Sequence, residues 1–426
     1  MYPKILISTV GAWKQQGGSN TMMSLVQDFP KESLASLYIR ADIADSPICE
    51  RYFHIYEGRV LASVYNPKIK TGEEYSLSNI PQLQDDQNAE KKRYGKYGKK
   101  RNWFYLFLRE YAWLLGRWKS KELDAFLDDY QPEVLFFPIE SYIHFNRVNE
   151  YIIKRCKPKK VVGYMWDDNF TYKQEKGSIG FLLHRWWLRH SVRRLVKRCD
   201  TVFAICPKMK RELDAEFGID SVLLTKPIYQ FNEVKQYHPH TPIKILYTGK
   251  LLYGRDEAIA RIVDAIKIVN KDSQKVLLQI YTNTELSEPL KERINVPSCC
   301  EIKEFVPQSE ALRLQTEADI LLFVESLSDK HLTARLSFST KITDYLAAGA
   351  CIWAVGNEDL APIEYLQKED AAMISTSKNT IVDQLKRIVE NYDILPNYAE
   401  KAHKIGVSNH SQEEIIKRFM GVMCDS

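Results

Sequence analysis

The sequence is poor in the features that mark fibrous, membrane-spanning or metal-stapled chains. Glycine and proline are scarce, 18 and 17 of 426 residues, which excludes a collagen-like or low-complexity protein. No run approaches the ~18 uninterrupted apolar residues of a transmembrane helix. The opening MYPKILISTVGAW lacks a basic segment followed by a long apolar core, so it reads as a first buried strand and not as a signal peptide. The eight cysteines include no Cys-x-x-Cys pair and no Cys/His spacing suited to zinc. Cys206 in TVFAIC and Cys351 in CIWAVG fall inside apolar runs, as reduced core thiols of a cytoplasmic protein do. The glycines after the first strand do not form Gly-x-Gly-x-x-Gly, so a nicotinamide cofactor is not supported.

What is present fits a globular chain of two domains: 45% apolar, 12% aromatic and 27% charged residues. The net charge of +5 is unevenly placed. Residues 1–230 hold 37 Lys/Arg against 27 Asp/Glu, and residues 231–426 hold 23 against 28. The basic first half suits an anionic partner, either an acidic membrane surface or nucleic acid; no recognised nucleic-acid motif accompanies the charge.

Short apolar, β-rich runs alternate with helical patterns. In the first half they are KILIST (4–9), SLYIR (36–40), VLFFP (134–138), VVGYMW (161–166), TVFAIC (201–206) and VLLTKPI (222–228). In the second they are KILYTG (244–249), VLLQIYT (276–282), EIKEFV (301–306), DILLFV (319–324), CIWAVG (351–356) and AAMIS (371–375). Continuous apolar strands joined through helices predict parallel sheets covered on both faces. Two such series predict an α/β chain of two Rossmann-like domains, 1–235 and 242–405, with a polar break at 229–241. The Lys-rich stretch 66–102 reads as an insertion loop. After a break at 406–409, residues 410–424 form an amphipathic helix expected to pack back on the first domain.

Several strand ends carry candidate chemistry. After the first strand, Gly17 and Gly18 would let the backbone turn tightly toward a ligand at a helix start, or simply make a structural turn. KILYTGKLLYGRDEAI places Gly249, Lys250 and Arg255 at the C-terminal edge of a parallel sheet, where open α/β proteins bind ligands. Two cations there would hold a diphosphate leaving group without a metal; the alternative is a solvated loop. In LLFVESLSDKHLTARLSFSTKITDYLAAGACIWAVG, a strand ends at Glu325 and a helix starts near Ser339. Ser339 and Thr340 would present hydroxyls and N–H groups beside Lys341, and Asp344 would reach the two hydroxyls of a ribose. In VVGYMWDDNFTY, Asp167 and Asp168 lie just past a strand end. Either would orient or deprotonate an acceptor hydroxyl, or else cap a turn. His144 is a further candidate, set against a satisfied structural histidine.

Two basic-aromatic stretches remain. Residues 98–119 hold seven aromatics among six Lys/Arg, and residues 180–198 set Arg185, Arg189, Arg193 and Lys197 four apart. Such faces suit an anionic bilayer, or are core helices with a solvated outer side. Leu188, Val192, Leu195 and Val196 occupy another face of the second stretch and should pack on the sheet.

GKLLYGRDEAI resembles the segment that opens the donor domain of family 4 glycosyltransferases. FSTKITDYLAAGACIWAVG resembles the helix and strand that grip the nucleotide in the same proteins, and residues 188–219 resemble their last acceptor-domain elements. The resemblance covers 185–375 closely and the rest by domain order. It implies a GT-B fold with the active site in a cleft, and transfer of a hexose-type sugar from a nucleoside-diphosphate sugar with retention. It also implies a carbohydrate or lipid-linked acceptor, as in cell-surface polysaccharide or glycolipid assembly at the inner membrane face. On the matching positions, Lys250 and Arg255 fall on the diphosphate-binding pair and Asp344 on the ribose-binding second glutamate. The backbone around Val306 falls where the base is read. The family's first glutamate falls at Leu336, with Glu325 either a substitute for it or a structural or solvated residue at the core edge. No Asp-x-Asp triplet occurs, in keeping with a metal-free, cofactor-free reaction. A nucleotide-sugar epimerase of similar fold and a non-catalytic partner subunit are the other classes.

Overall fold

Apolar runs such as VLFFP and ILLFV have no face to give to water, and each becomes a strand with every residue buried. The computed structural model describes residues 2–14, 21–40, 42–80, 103–173 and 177–424. The chain divides into two units. One comprises Met1–Ile205, Met209–Leu224 and Arg418–Ser426; the other comprises Cys206–Lys208 and Thr225–Lys417.

Among the described residues the first unit carries an eight-stranded sheet. In chain order its strands are β1 (Ile5–Thr9), β2 (Leu34–Tyr38), β3 (Arg51–Ile55), β4 (Gly72–Tyr75), β5 (Val134–Pro138), β6 (Lys160–Met165), β7 (Thr201–Ala204) and β8 (Val222–Leu223). Their spatial order is β4-β3-β2-β1-β5-β6-β7-β8. Every pair is parallel except β3 with β4. Two of these strands escape the sequence pattern. β4 lies inside the stretch expected to be a loop. In β3 the His54 ring is buried, sandwiched with Tyr38 at 4.3 Å and Tyr56 at 3.9 Å. Burial pushes its pKa down to about 3, so the imidazole stays neutral and packs as an aromatic.

The second unit carries β9 (Ile243–Thr248), β10 (Val276–Tyr281), β11 (Cys300–Lys303), β12 (Ile320–Val324), β13 (Cys351–Val355) and β14 (Met373–Ser375). They are ordered β11-β10-β9-β12-β13-β14, all parallel. Apolar side chains from alternate strand positions build a core on each face. Ile245, Leu322 and Trp353 lie on one, and Leu321, Phe323 and Ile352 on the other. Each large aliphatic side chain fully buried in this way stabilises the fold by roughly 1.5–3 kcal/mol.

Residues 225–241 run along this second unit. The N–H groups of Asn232 and Lys235 donate to the carbonyls of Ala347 and Gly349 at 2.9 and 2.8 Å. The expected helix break at 406–409 does not exist: the helix Ile394–His410 runs through it, and a new one, Gln412–Cys424, follows Ser411. Gly406 is there for close approach. A Cβ on it would lie 3.0 Å from the Phe231 ring and 3.1 Å from the Leu346 carbonyl oxygen. At the end of the last helix, the Phe419 ring packs within the first unit against Phe29, Phe136 and Phe203 at 5.5–5.9 Å.

Candidate functional site

The C-terminal edge of the second sheet gathers most of the expected residues. β9 ends at Thr248, and Gly249 follows with φ 133°, a conformation that L side chains rarely adopt. A Cβ at Gly249 would stand only 2.3 Å from Lys341 Nζ. The glycine is therefore needed for its dihedral, and its bare Cα leaves room where the ammonium lies. Lys341, the first residue of the short helix Lys341–Ala347, places Nζ 4.5 Å from the Tyr247 ring centre and 3.5 Å from its hydroxyl. Burial, and then the charge of Arg255, push the Lys341 pKa down to about 8.

Arg255 opens the helix Arg255–Val269, after Tyr253 and Gly254 in left-handed conformations. Its guanidinium makes a two-pronged bond to Glu325, Nε to Oε2 at 3.0 Å and Nη2 to Oε1 at 2.7 Å. Glu325, 5% exposed, continues β12: its N–H donates to the Val355 carbonyl at 2.8 Å. Lys250 is exposed, and its ammonium has no ion-pair partner among the described residues. The cluster thus holds three cations, Lys250, Arg255 and Lys341, against one buried carboxylate. Ser339 Oγ accepts from the Lys341 N–H at 3.4 Å, while Thr340 makes no side-chain cap. Leu336 is fully buried, so a core side chain stands where the family resemblance places its first glutamate.

One turn along the same helix, Asp344 Oδ1 accepts from Lys226 Nζ at 2.8 Å. Both line a cavity of about 410 Å³ together with Tyr229, Gln308, Arg313 and Thr343. Gln308 lies two residues on from Val306. Sequence reasoning missed Lys226: it lies in a run read as plain strand, and its partner is 118 positions away.

In the first unit, the paired aspartates after β6 part company. Asp168 is fully buried, and Oδ1 accepts from the Thr171 N–H at 2.9 Å and from Arg185 Nη2 at 3.2 Å. Oδ2 accepts from the Thr171 hydroxyl. With its oxygens committed to a turn and an ion pair, Asp168 has the contacts of the turn-capping alternative. Asp167 is only half-buried, and its charge is felt by Glu140, which follows β5. Burial, and then the Asp167 charge, push the Glu140 carboxyl up to about 7, with Arg40 opposing. Glu140 was overlooked, although it obeys the same strand-end rule as Asp167. His144 is structural: Nδ1 lies 2.8 Å from Glu110 Oε1, and the ring stacks on Trp113.

Three of the four basic residues set four apart are spent on ion pairs within the unit. Arg185 is buried on Asp168, and Arg189 and Arg193 both bond Glu216 at 2.7 Å. Leu188, Val192, Leu195 and Val196 are buried, as their spacing predicts. Gly17 and Gly18 lie outside the described residues, as does 98–102 of the first basic-aromatic stretch. Among the described residues no three His, Cys, Asp or Glu side chains gather as a metal site.

No family model and no curated protein sequence matches the chain. Solved structures do. Two Rossmann-like units in this order define the GT-B architecture, and the chain has the fold of GT-B glycosyltransferases. It is similar to Anabaena HepE in complex with UDP, at 9% identity with 99% of each chain covered and a TM-score of 0.62. It is also similar to S. aureus TarM, at 8% identity, 99% of each chain and 0.61. Sucrose-phosphate synthase of Thermosynechococcus elongatus matches at 11% identity, 97% of this chain and 96% of that one, with 0.59.

Proposed function

We propose that the chain is a glycosyltransferase that takes its sugar from a nucleoside-diphosphate sugar held by the second unit. The observation that carries this reading is the excess positive charge at the end of β9, three cations against Glu325, beside a cavity that holds Asp344. HepE, of the same fold, has been crystallised with UDP and with UDP-glucose, which supports a UDP-type donor.

In this reading Lys250 and Lys341 bind the diphosphate. Arg255, its guanidinium plane fixed by Glu325, adds a directed charge from the helix start. Asp344 accepts from a ribose hydroxyl, and the bond from Lys226 keeps its carboxylate aimed. The acceptor oxygen bonds to the anomeric carbon on the face from which the diphosphate leaves, so configuration is retained. The electron pair of the broken C–O bond stays on the leaving phosphate oxygen, which takes the acceptor proton. Charge-assisted contacts that strengthen as negative charge gathers on the phosphate lower the barrier without a metal. On the first unit, Asp167 and Glu140 offer carboxylates to an acceptor hydroxyl. The acceptor is a carbohydrate or lipid-linked sugar at the inner face of a membrane.

The test is a panel of nucleotide-sugars. Specific donor binding should raise the melting temperature by mass action. The matched donor should then release nucleoside diphosphate when an acceptor is supplied, with and without EDTA. No stabilisation by any nucleoside diphosphate or its sugars sinks the donor site. Conversion of the donor without acceptor would instead make the protein an epimerase.

A further inference from the structure

Two helices of the first unit turn apolar side chains toward solvent. On Trp103–Leu115, Phe104, Leu108, Tyr111 and Leu115 recur at helical spacing and are exposed, Leu115 to 67%. On Ile179–Val196, Ile179, Leu182, Leu183 and Trp186 do the same, Ile179 to 77%. The helices pack together. The Phe107 ring stacks on Trp187 at 5.8 Å, and a Cβ on Gly180 would lie 2.2 Å from the Trp103 ring. The two stripes therefore belong to one packed helix pair whose opposite sides are buried, through Trp113 on one and Leu188 and Val192 on the other. Large exposed apolar patches on soluble proteins mark interaction sites.

The same helix ends in a cationic pocket. A cavity of about 340 Å³ beside Leu114 is lined by Lys119, Arg147, Lys154 and Arg198, with Trp118 and Tyr151 as its aromatic walls. Glu150 is the one acidic group in that lining, and Arg194 already bonds it at 3.1 Å. Arg147 Nη1 is buried with no hydrogen-bond partner, and its guanidinium lies 5.4 Å from the centre of the Trp187 ring, which packs on Phe107 between the two helices. Arg189 and Arg193 spend their charge on Glu216, whereas these four cations remain available to an outside anion.

We propose that this surface docks on an anionic phospholipid bilayer, its apolar stripes entering the headgroup boundary and a lipid phosphate seating in the Arg147 pocket. A second copy is disfavoured because the cationic pocket would confront its own like charge. The chemistry fits an interfacial helix pair, with aromatic and aliphatic groups at the depth of the glycerol and arginine and lysine at the phosphates. The inference gives a place to the membrane-borne acceptor of the proposed transfer. It is read without donor or acceptor, so its failure would leave the transfer reading standing.

Full-length protein is sedimented with phosphatidylcholine vesicles, with and without phosphatidylglycerol. Binding should be at least about ten-fold tighter to the anionic vesicles and should weaken with salt, since each surface cation adds about five-fold. Leu108→Glu combined with Leu183→Glu should abolish binding. Lys154→Ala with Arg198→Ala should erase most of the preference for anionic lipid. All four positions are solvent-facing, and an unchanged melting temperature verifies folding. Equal binding to both vesicle types, or full binding by the double glutamate variant, overturns the proposal. So does a stable dimer in lipid-free buffer that the glutamates dissociate.

Discussion

Two strand-end ion pairs, one in each unit, have the same chemistry and opposite prospects. Arg185 meets Asp168 after β6, and Arg255 meets Glu325 between β9 and β12. Both carboxylates are buried. In the first pair every strong valence is spent locally: Arg185 also donates to the carbonyls of Asp168 and Thr171, and Asp168 takes two bonds from Thr171. One charge cancels one charge. In the second pair Lys250 and Lys341 stand by, so Glu325 alone does not balance the cations beside it. Burial and an aspartate at a strand end do not mark a site; uncompensated charge with access does.

The comparison can be broken most severely at the closed pair. Asp168→Ala leaves Arg185 buried without its counter-charge, which typically costs ~3–5 kcal/mol. Urea unfolding should show that loss, while the protein that remains folded turns over normally. A normal unfolding midpoint with lost turnover would return Asp168 to the chemistry.

At the open pair the expectation reverses. Lys250→Ala should leave the unfolding midpoint within ~0.5 kcal/mol, as for other exposed positions. It should cut turnover at saturating donor by about two to three orders of magnitude, the ~2.7–4 kcal/mol typical of losing one preorganised charge-stabilising donor. Full activity in this variant would remove the diphosphate clamp from the mechanism.

Much of this contrast was legible before the fold, and the reasons for the gaps are physical. In the second sheet β12 and β13 show as continuous apolar runs because parallel strands covered on both faces need nothing else. The strand–Gly–basic pattern at Gly249–Lys250 and the strand-end Glu325 followed from the same rule about sheet edges. β3 did not show, because His54 is made apolar by burial between tyrosines, and hydropathy counts it as polar. The ion pair of Asp168 did not show, because Arg185 lies 17 positions away on another element. Lys226, Glu140 and the stacking of Lys341 on Tyr247 depend on contacts that no local pattern records.

A milder test uses proton binding. Lys341 carries its charge below about pH 8 and loses it above. If the ammonium meets phosphate, kcat/KM should be level below pH 8 and fall about ten-fold per unit above it, since that ratio reports free-enzyme groups. Loss of this proton does not itself favour unfolding. The folded-state pKa is depressed, so between about 8 and the ordinary lysine range the unfolded chain binds more protons, and this group's contribution to stability rises with pH. Lys341→Arg, permanently charged, should remove the fall near pH 8. An unchanged profile in that variant would assign the limb to another group.

The smallest effect is expected at the pair that aims Asp344. Lys226 and Asp344 are partly exposed, at 14% and 22% of their side chains, and their bond is single, where Arg255 and Glu325 share two. Such a pair contributes about 0.5–1 kcal/mol. Removing the ammonium should neither unfold the chain nor slow the chemical step, because neither group touches the breaking bond in the proposed transfer. What it should change is how well the carboxylate is held for the ribose. Lys226→Met is therefore expected to raise KM for the donor about two- to five-fold with kcat unchanged, on the same ~0.5–1 kcal/mol basis. Asp344→Asn should raise it further, since the amide keeps one acceptor but loses the charge that strengthens the bond. The informative arm is the double variant. If Lys226 acts only by positioning Asp344, adding Lys226→Met to Asp344→Asn should do nothing more. Additive losses would mean that Lys226 meets the donor itself.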